Sequence, residues 1–339
     1  MMQKQLFIIG LVLAFAGQLA AQQYPYKLAF YNVENLFDTV DDPTKVDEDF
    51  TPEGKQKWDI ERYETKLDRI GEVFENLNYP ELIGLCEVEN EQVCLDLADQ
   101  ARLKAQEYGV AHLESPDRRG IDNALLYKKA IFTVHKIEGI RINYPEGYLE
   151  EEEYTTRDVL VVHGTFKQKH ELTILVNHWP SRRGGLAASE PKRTYVAEKV
   201  GDFVDSVCTI NSKARIVIMG DFNDEPANKS IKEVLGASMD TELAEGERCI
   251  NLMGPLDEAG KGSYNYRGNW NMLDQIMISP YLLQKKSKFK FGPAEIFMGE
   301  FLIYKHDRFG DMPNRTYGGP NYYGGYSDHF AVFVPFKAK

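Results

Sequence analysis

Glu87, Asp221, Asn32 and Asn223 are hard oxygen donors, each placed where a short apolar run gives way to polar sequence. Such groups suit Mg2+ or Mn2+, which keep several waters and take only one or two protein carboxylates. His178 and His329 stand in similar positions and can move protons near neutral pH, provided that an acid fixes the tautomer and supports the charged form. Asp122 and Asp274 are the candidate acids. Arg157, Arg182 and Arg183 carry forked donors that match the non-bridging oxygens of a phosphate. A metal with His-acid pairs suits attack of water on a phosphoryl centre, where catalysis rests on positioning and charge stabilisation. Taken singly, each residue has a plainer reading: a lone strand-end His is more often structural, and tandem Arg in a Gly-flanked loop is usually a solvated basic turn.

The elements that must position these groups are short buried strands. Ile216 to Met219 reads as a strand buried on both faces, and Gly220 then allows close backbone approach before Asp221-Phe222-Asn223. If the chain stays extended there, Asp221 and Asn223 point to one side and offer a carboxylate and an amide to one water, metal ion or phosphate oxygen. Lys27 to Val33 carries Asn32 at its end, and Leu82 to Cys86 delivers Glu87. Ile121 to Tyr127 has Asp122 near its start, and Arg157 opens Asp158 to Phe166. Leu172 to Val176 releases Asn177-His178, Asp274 lies within Met272 to Ile278, and Asp328-His329 enters Phe330 to Val334. In layered α/β proteins strand ends lie close in space, so these residues can converge on one cleft. Helices are predicted over 60–77, from the stripe Tyr63, Leu67, Ile70, Phe74 and Leu77, over about 92–106, and over about 191–207 with Pro191 in the first turn.

The chain has 339 residues and a formal charge of -12, which argues against a general electrostatic grip on nucleic acid or anionic membrane. A polyanionic substrate is still compatible if local cations or a bound metal invert the field. Residues 1–21 have the build of a secretory signal peptide, with Lys4, an apolar run from Leu6 to Phe15 and small residues to Ala21; an uncleaved anchor is the alternative. This predicts an exported protein, periplasmic or extracellular, with one domain over 22–339, no transmembrane segment after processing and no protein partner implied. Cys86, Cys94, Cys208 and Cys249 contain no C-x-x-C pair, so neither zinc nor thioredoxin-like chemistry is indicated, and Cys86 reads as core filling. The acidic loop Asp41 to Pro52 fails the EF-hand spacing, and Glu150 to Glu153 reads as an exposed loop tip.

Asn32 within Tyr31-Asn32-Val33, Glu87 at a strand end, Gly220-Asp221-Phe222-Asn223, Leu273-Asp274 and Ser327-Asp328-His329 together resemble the ordered signature of the endonuclease/exonuclease/phosphatase superfamily, from about Lys27 to Phe336. The resemblance implies a four-layered α/β sandwich, with two mixed β-sheets packed face to face, helices outside and an active cleft at one sheet edge. It implies Glu87 as the main Mg2+ ligand with Asn32 as its amide neighbour, and Asp221 with Asn223 orienting water and phosphate. It further implies His329 as general base supported by Asp274, Asp328 beside the metal or base, and His178 as a second histidine paired with Asp122. Cys86 stands where many members have Gln, and Asp122 where a Glu is common in the deoxyribonuclease branch. The expected function is an exported Mg2+-dependent phosphoesterase acting on phosphodiesters, nucleic acid first. Phospholipid or inositol-phosphate headgroups are the rival substrates, and a non-catalytic binding protein on the same fold the remote one.

Overall fold

The computed structural model describes residues 23–149, 154–240 and 247–339. The expected signal peptide and the Glu150 to Glu153 loop tip lie outside the described residues. The central strands are buried on both faces, and their side chains alternate between apolar clusters. In Tyr26–Leu36, Leu28 and Phe30 join one apolar cluster while Ala29, Tyr31 and Val33 join another. In Ile216–Asp221, Val217 and Met219 join that same first cluster, while Ile216 and Ile218 face a third. Successive side chains point to opposite faces of a strand, so the shared cluster is the filling between two sheets.

The first sheet has seven strands in the order Phe289–Phe291, Val332–Ala338, Tyr26–Leu36, Leu82–Val88, Asp122–Lys128, Tyr108–His112, with Glu295–Ile296 joining Val332–Ala338. The second runs Phe132–Ile140, Val159–Phe166, His170–His178, Ile216–Asp221, Asp274–Ile278, Cys249–Asn251, Ala237–Ser238. Both sheets are mixed: the long parallel pairs are Tyr26–Leu36 with Leu82–Val88 and His170–His178 with Ile216–Asp221, the second sheet adds a short one between Cys249–Asn251 and Ala237–Ser238, and the other pairs are antiparallel. A parallel pair requires a crossover. The helix Ile60–Asn76 supplies the first, capped by Asp59, whose carboxylate accepts the Arg62 N–H at 3.0 Å. The helix Leu186–Ile210 supplies the second. Ile70, Val73 and Phe74 bury against the outer face of the first sheet, and Val196, Val200 and Val204 against that of the second. The layers are therefore helix, sheet, sheet, helix. None of the described helices is long and apolar enough to cross a membrane.

Two helices differ from the sequence expectation. The one expected over 92–106 stops at Asp99, because Gln100 turns extended (ψ 156°) and only a short 3-10 turn, Lys104–Gln106, follows. The other starts five residues before Pro191, which lies inside the helix. Gly184 and Gly185, at φ of 87° and 112°, bring the chain into that early start. Fully buried Arg193 then fastens the opening turn by donating to the Ser189 hydroxyl and the Leu186 carbonyl while pairing with Asp224 at 2.7 Å. All four cysteines are free thiols, and Cys86 is fully buried in the core between the sheets.

Candidate active site

The cleft is the polar rim of the inter-sheet core. Phe30, Val176, Met219 and Ile276 all belong to that core, and two residues along on the same side of each strand stand Asn32, His178, Asp221 and Asp274. The parallel pair of the second sheet sets His178 opposite Asp221, and the antiparallel neighbour sets Asp274 opposite Asp221. Asn32 of the first sheet reaches Asp221 of the second, its Nδ2 donating to Oδ2 at 3.1 Å.

Glu87 should not face this rim by alternation, because Ile83 and Leu85 point to the helix side. It does so through a break in register. The pairings shift between Cys86 and Val88 and between Asn32 and Leu36, and Glu87 adopts φ 63°. A bulge of this kind re-aims a side chain, and the left-handed conformation of a non-glycine residue is local strain of the sort found at functional sites. Glu87 Oε2 accepts the Asn35 N–H at 3.0 Å, while Oε1 lies 3.4 Å from Asn32 Nδ2 and 3.8 Å from His178 Nε2.

Asn32 gives a different contact from the expected oxygen ligand. Its Oδ1 accepts the Glu34 N–H at 3.0 Å, so it turns its amide nitrogen to Glu87 and Asp221 and brackets the two acids. Asp221 and Asn223 do not sit on an extended segment either. Asn223 adopts φ 50°, its N–H donates to Asp221 Oδ1 at 2.9 Å, and its side chain donates to the Trp179 carbonyl at 3.0 Å. A turn closed by the aspartate itself brings both residues to the cleft.

His329 Nδ1 meets Asp274 Oδ2 at 2.7 Å, and its Nε2 lies 3.8 Å from Asp221 Oδ2. Burial works against a charged imidazole here, but Asp274 and Asp221 outweigh it and hold His329 well above its ordinary range. Burial pushes the Asp221 carboxyl up to about 7, with His329 opposing and Asp274 reinforcing the rise. Asp221 and His329 therefore titrate as a coupled pair. The Ser327 hydroxyl donates to the Asn32 carbonyl at 2.7 Å and accepts the His329 N–H at 3.0 Å, which ties this histidine to the Asn32 strand.

His178 lacks the expected acid. Its Nδ1 is buried without a hydrogen-bond partner, and burial, followed by the nearby Arg157 and Arg119 charges, holds its pKa well below the ordinary value. Asp122 lies on the other face of its sheet: Ala124 and Leu126, in phase with it, pack on the helix side, whereas Asn123 reaches the second sheet by donating to the Asp158 carbonyl. Asp122 instead lies 3.5 Å from His112 Nε2. The reach of the shorter acid is immaterial, because the strand phase points it away.

The three arginines separate. Arg157 is buried, paired with Asp117 at 3.2 Å and donating to the Trp179 carbonyl at 2.8 Å, so it is a wall behind the cleft and not a phosphate contact. Arg182 lines the cleft, yet its donors are engaged by the Asn223 carbonyl at 2.7 Å and Asn228 Oδ1 at 2.9 Å. Arg183 lines the cleft and is exposed. Asp328 also lines it, held by Arg315 at 3.0 Å; Arg315 in turn reaches Glu34 at 3.3 Å. Behind them buried Lys66 donates to the Thr316 hydroxyl and the Tyr326 carbonyl, and burial raises Glu34 to about 7 and lowers Lys66 to about 8. Sequence reasoning missed Arg119 and Tyr264. The former lines the cleft, and the latter packs its ring 4.8 Å from that of His329. Tyr264 lies in a short hairpin within a loop-rich region that gives no periodic signal.

The cleft measures about 630 Å³. Its donor chemistry fits a hard divalent cation. Glu87 makes no ion pair with Lys or Arg among the described residues, and the histidine beside it, His178, is held neutral. Glu87 and Asp328 would hold the ion, with Asn32 and Asp221 fixed around them.

The sequence matches the profile of the Endonuclease/Exonuclease/phosphatase family over residues 27–338. Among solved structures, truncated Caenorhabditis elegans TDP2 is similar at a TM-score of 0.55 and 17% identity, covering 92% of this chain and 97% of that one. The mannosyl-6-phosphatase of Bacteroides thetaiotaomicron VPI-5482 is similar at 0.55 and 14%, covering 92% and 99%. The human Nocturnin catalytic domain, solved with a bound sulfate anion, is similar at 0.52 and 17%, covering 93% and 94%. None of the curated proteins matches the sequence. At these identities the likeness is one of fold.

Proposed function

We propose, for a chain that belongs to the endonuclease/exonuclease/phosphatase family, a Mg2+-dependent hydrolysis of phosphodiester bonds in nucleic acid, carried out after export. Members of this family are metal-dependent hydrolases acting on phosphate esters. The observation that carries the reading is the convergence of Glu87, His178, Asp221 and His329 from two sheets, with contacts of 3.8 Å linking them in sequence. Structural scaffolding does not call for two buried histidines and two acids at one solvent-facing rim.

Glu87 and Asp328 would hold Mg2+, which when bound would supply charge stabilisation to the phosphoryl oxygens. Asp221 and the Asn223 amide orient the attacking water. As the new P–O bond forms the ester P–O bond breaks; the attacking water loses its proton to the Asp221 carboxylate, beside the His329 imidazolium that Asp274 supports across the 2.7 Å contact, and the departing oxygen takes a proton back from the same Asp221–His329 unit. Neutral His178 donates an N–H to a non-bridging oxygen, which fits its depressed pKa. Arg119 and Arg183 supply cations at the mouth of an otherwise acidic protein, and Tyr264 and Tyr266 offer ring faces beside the cleft for a base. Export is supported by the build of residues 1–21.

The test is incubation with supercoiled plasmid, in Mg2+ or chelator, with His329→Ala as the contamination control. Nicking that needs both Mg2+ and His329 supports the nuclease. Intact plasmid with folded, metal-supplied protein overturns the nucleic-acid reading. Phospholipid, inositol phosphate and a sugar phosphate, the last in view of the mannosyl-6-phosphatase neighbour, then form the next panel.

A further inference from the structure

We propose that His112, Glu114 and Asp122 form a second metal site, distinct from the cleft, which takes a divalent cation of the Zn2+ class. None of the three lines the catalytic cleft. His112 ends the strand Tyr108–His112 and lies opposite Ala124 on the neighbouring strand. Asp122, two residues before Ala124, and Glu114, two after His112, extend the same side. That side is the helix face of the first sheet, away from the inter-sheet rim where His178 and Asp221 stand. One nitrogen and two carboxylate oxygens can all be placed within 4.8 Å of one another.

Crowded acids alone would not make a site. The independent observation is a pair of orphans. His112 Nε2 and Asp122 Oδ2 are both buried, face each other at 3.5 Å and have no hydrogen-bond partner, with side chains 3% and 1% exposed. A buried ring nitrogen and a buried carboxylate oxygen that meet only as an ion pair at 3.5 Å, without a hydrogen bond, cost free energy, and a cation between them would satisfy both. Imidazole with two carboxylates is a borderline donor set that suits Zn2+ better than Ca2+ or Mg2+, and exposed Glu114 leaves a coordination position for water.

The site would close the loop between its ligands. Residues 113–121 leave the strand at His112 and return at Asp122, whose Oδ1 already accepts the Ser115 N–H at 3.1 Å. That loop carries Asp117, which pairs with Arg157, and Arg119, which lines the cleft. A cation held at both ends staples the loop that brings Arg119 to the substrate.

The test is titration of chelator-stripped full chain with Zn2+ in excess Mg2+, which occupies the cleft, read as bound Zn2+ per chain and as thermal midpoint. The comparison variants are Glu87→Gln, Glu114→Gln and His112→Gln. The expected result is one equivalent of Zn2+ and a raised midpoint, both retained by Glu87→Gln, with affinity reduced about tenfold or more in Glu114→Gln and His112→Gln. Glu114 is exposed, so its variant keeps the fold and the test stands even if His112→Gln does not fold. Unchanged affinity in Glu114→Gln, or Zn2+ binding that disappears with Glu87→Gln, overturns the proposal. Neither outcome depends on turnover, so failure here leaves the phosphoesterase reading untouched.

Discussion

Gly220→Ala is the perturbation that most sharply separates a built site from a surface coincidence. Gly220 pairs with Asn177 in the parallel ladder one step before His178 meets Asp221. A Cβ at 220 would sit 2.4 Å from the Asn177 carbonyl oxygen and 2.6 Å from the Asn177 Cβ. Normal carbon–oxygen contact is wider by nearly an ångström, and neither strand can yield easily, since every residue of 174–178 and 216–221 is buried. Overpacking of this kind costs about 1–3 kcal/mol. The strands must part where they deliver His178 and Asp221, and a misplacement of about 1 Å in catalytic geometry costs roughly 10²-fold in rate. Gly139→Ala is the control, because its nearest neighbour, Asp158 Oδ2, is at an ordinary 3.4 Å. Urea unfolding and steady-state turnover of both variants decide the matter. Gly220→Ala with parental stability and turnover would refute the claim that close approach of these strands sets the site.

Other perturbations test the parts. His329→Ala should lower turnover by about 10²–10⁴-fold while circular dichroism stays parental, since on the proposed mechanism it removes half of the acid-base couple and in the fold it removes no large apolar group. Lys66→Met should destabilise by about 1–3 kcal/mol, because it leaves the Thr316 hydroxyl and Tyr326 carbonyl without their donor and Glu34 buried with less compensating charge, and Lys66→Met with Glu34→Gln should recover part of that in the same denaturant titration. Glu89 is held up at about 8 by burial, then by the acids around it, against the help of the Asp38 N–H at 2.6 Å. A carboxyl whose folded pKa lies above its unfolded value contributes stability that is present below the unfolded pKa and lost as pH rises through the folded one. Glu89→Gln should therefore raise the thermal midpoint at pH 8–9 relative to the parent and leave it near parental at pH 4; equal midpoints at both pH values would contradict the assignment.

Much of this arrangement was legible because the physics is local. Apolar runs ending in Asn32, Glu87, His178 and Asp221 mark strands that are buried on both faces and open at one edge, and family resemblance ordered them into two sheets. What escaped the sequence depends on phase and on distant neighbours. Asp122 looked like a partner for His178 by type, but the even positions of its strand face the helices, a fact fixed by which strand lies beside it. Glu87 reaches the cleft through a bulge that reverses its natural phase, and no residue pattern announces that reversal. Arg157 carries the right chemistry for phosphate but is buried against Asp117, a pairing across 40 residues. Tyr264 follows a loop-rich stretch and reaches His329 through an isolated bridge, so its place depended on the fold being complete.

The central claim is that the two sheets each supply half of one site. Glu87 comes from the first sheet and His178 from the second, and their side chains approach to 3.8 Å. Turnover of Glu87→Gln, His178→Ala and the double variant, in saturating Mg2+ with one phosphodiester substrate, measures their coupling directly. Groups acting on the same phosphoryl centre are non-additive, so the double variant should lose at least about tenfold less than the product of the single losses. A double loss equal to that product would mean that the residues act independently, and the single composite site would be contradicted.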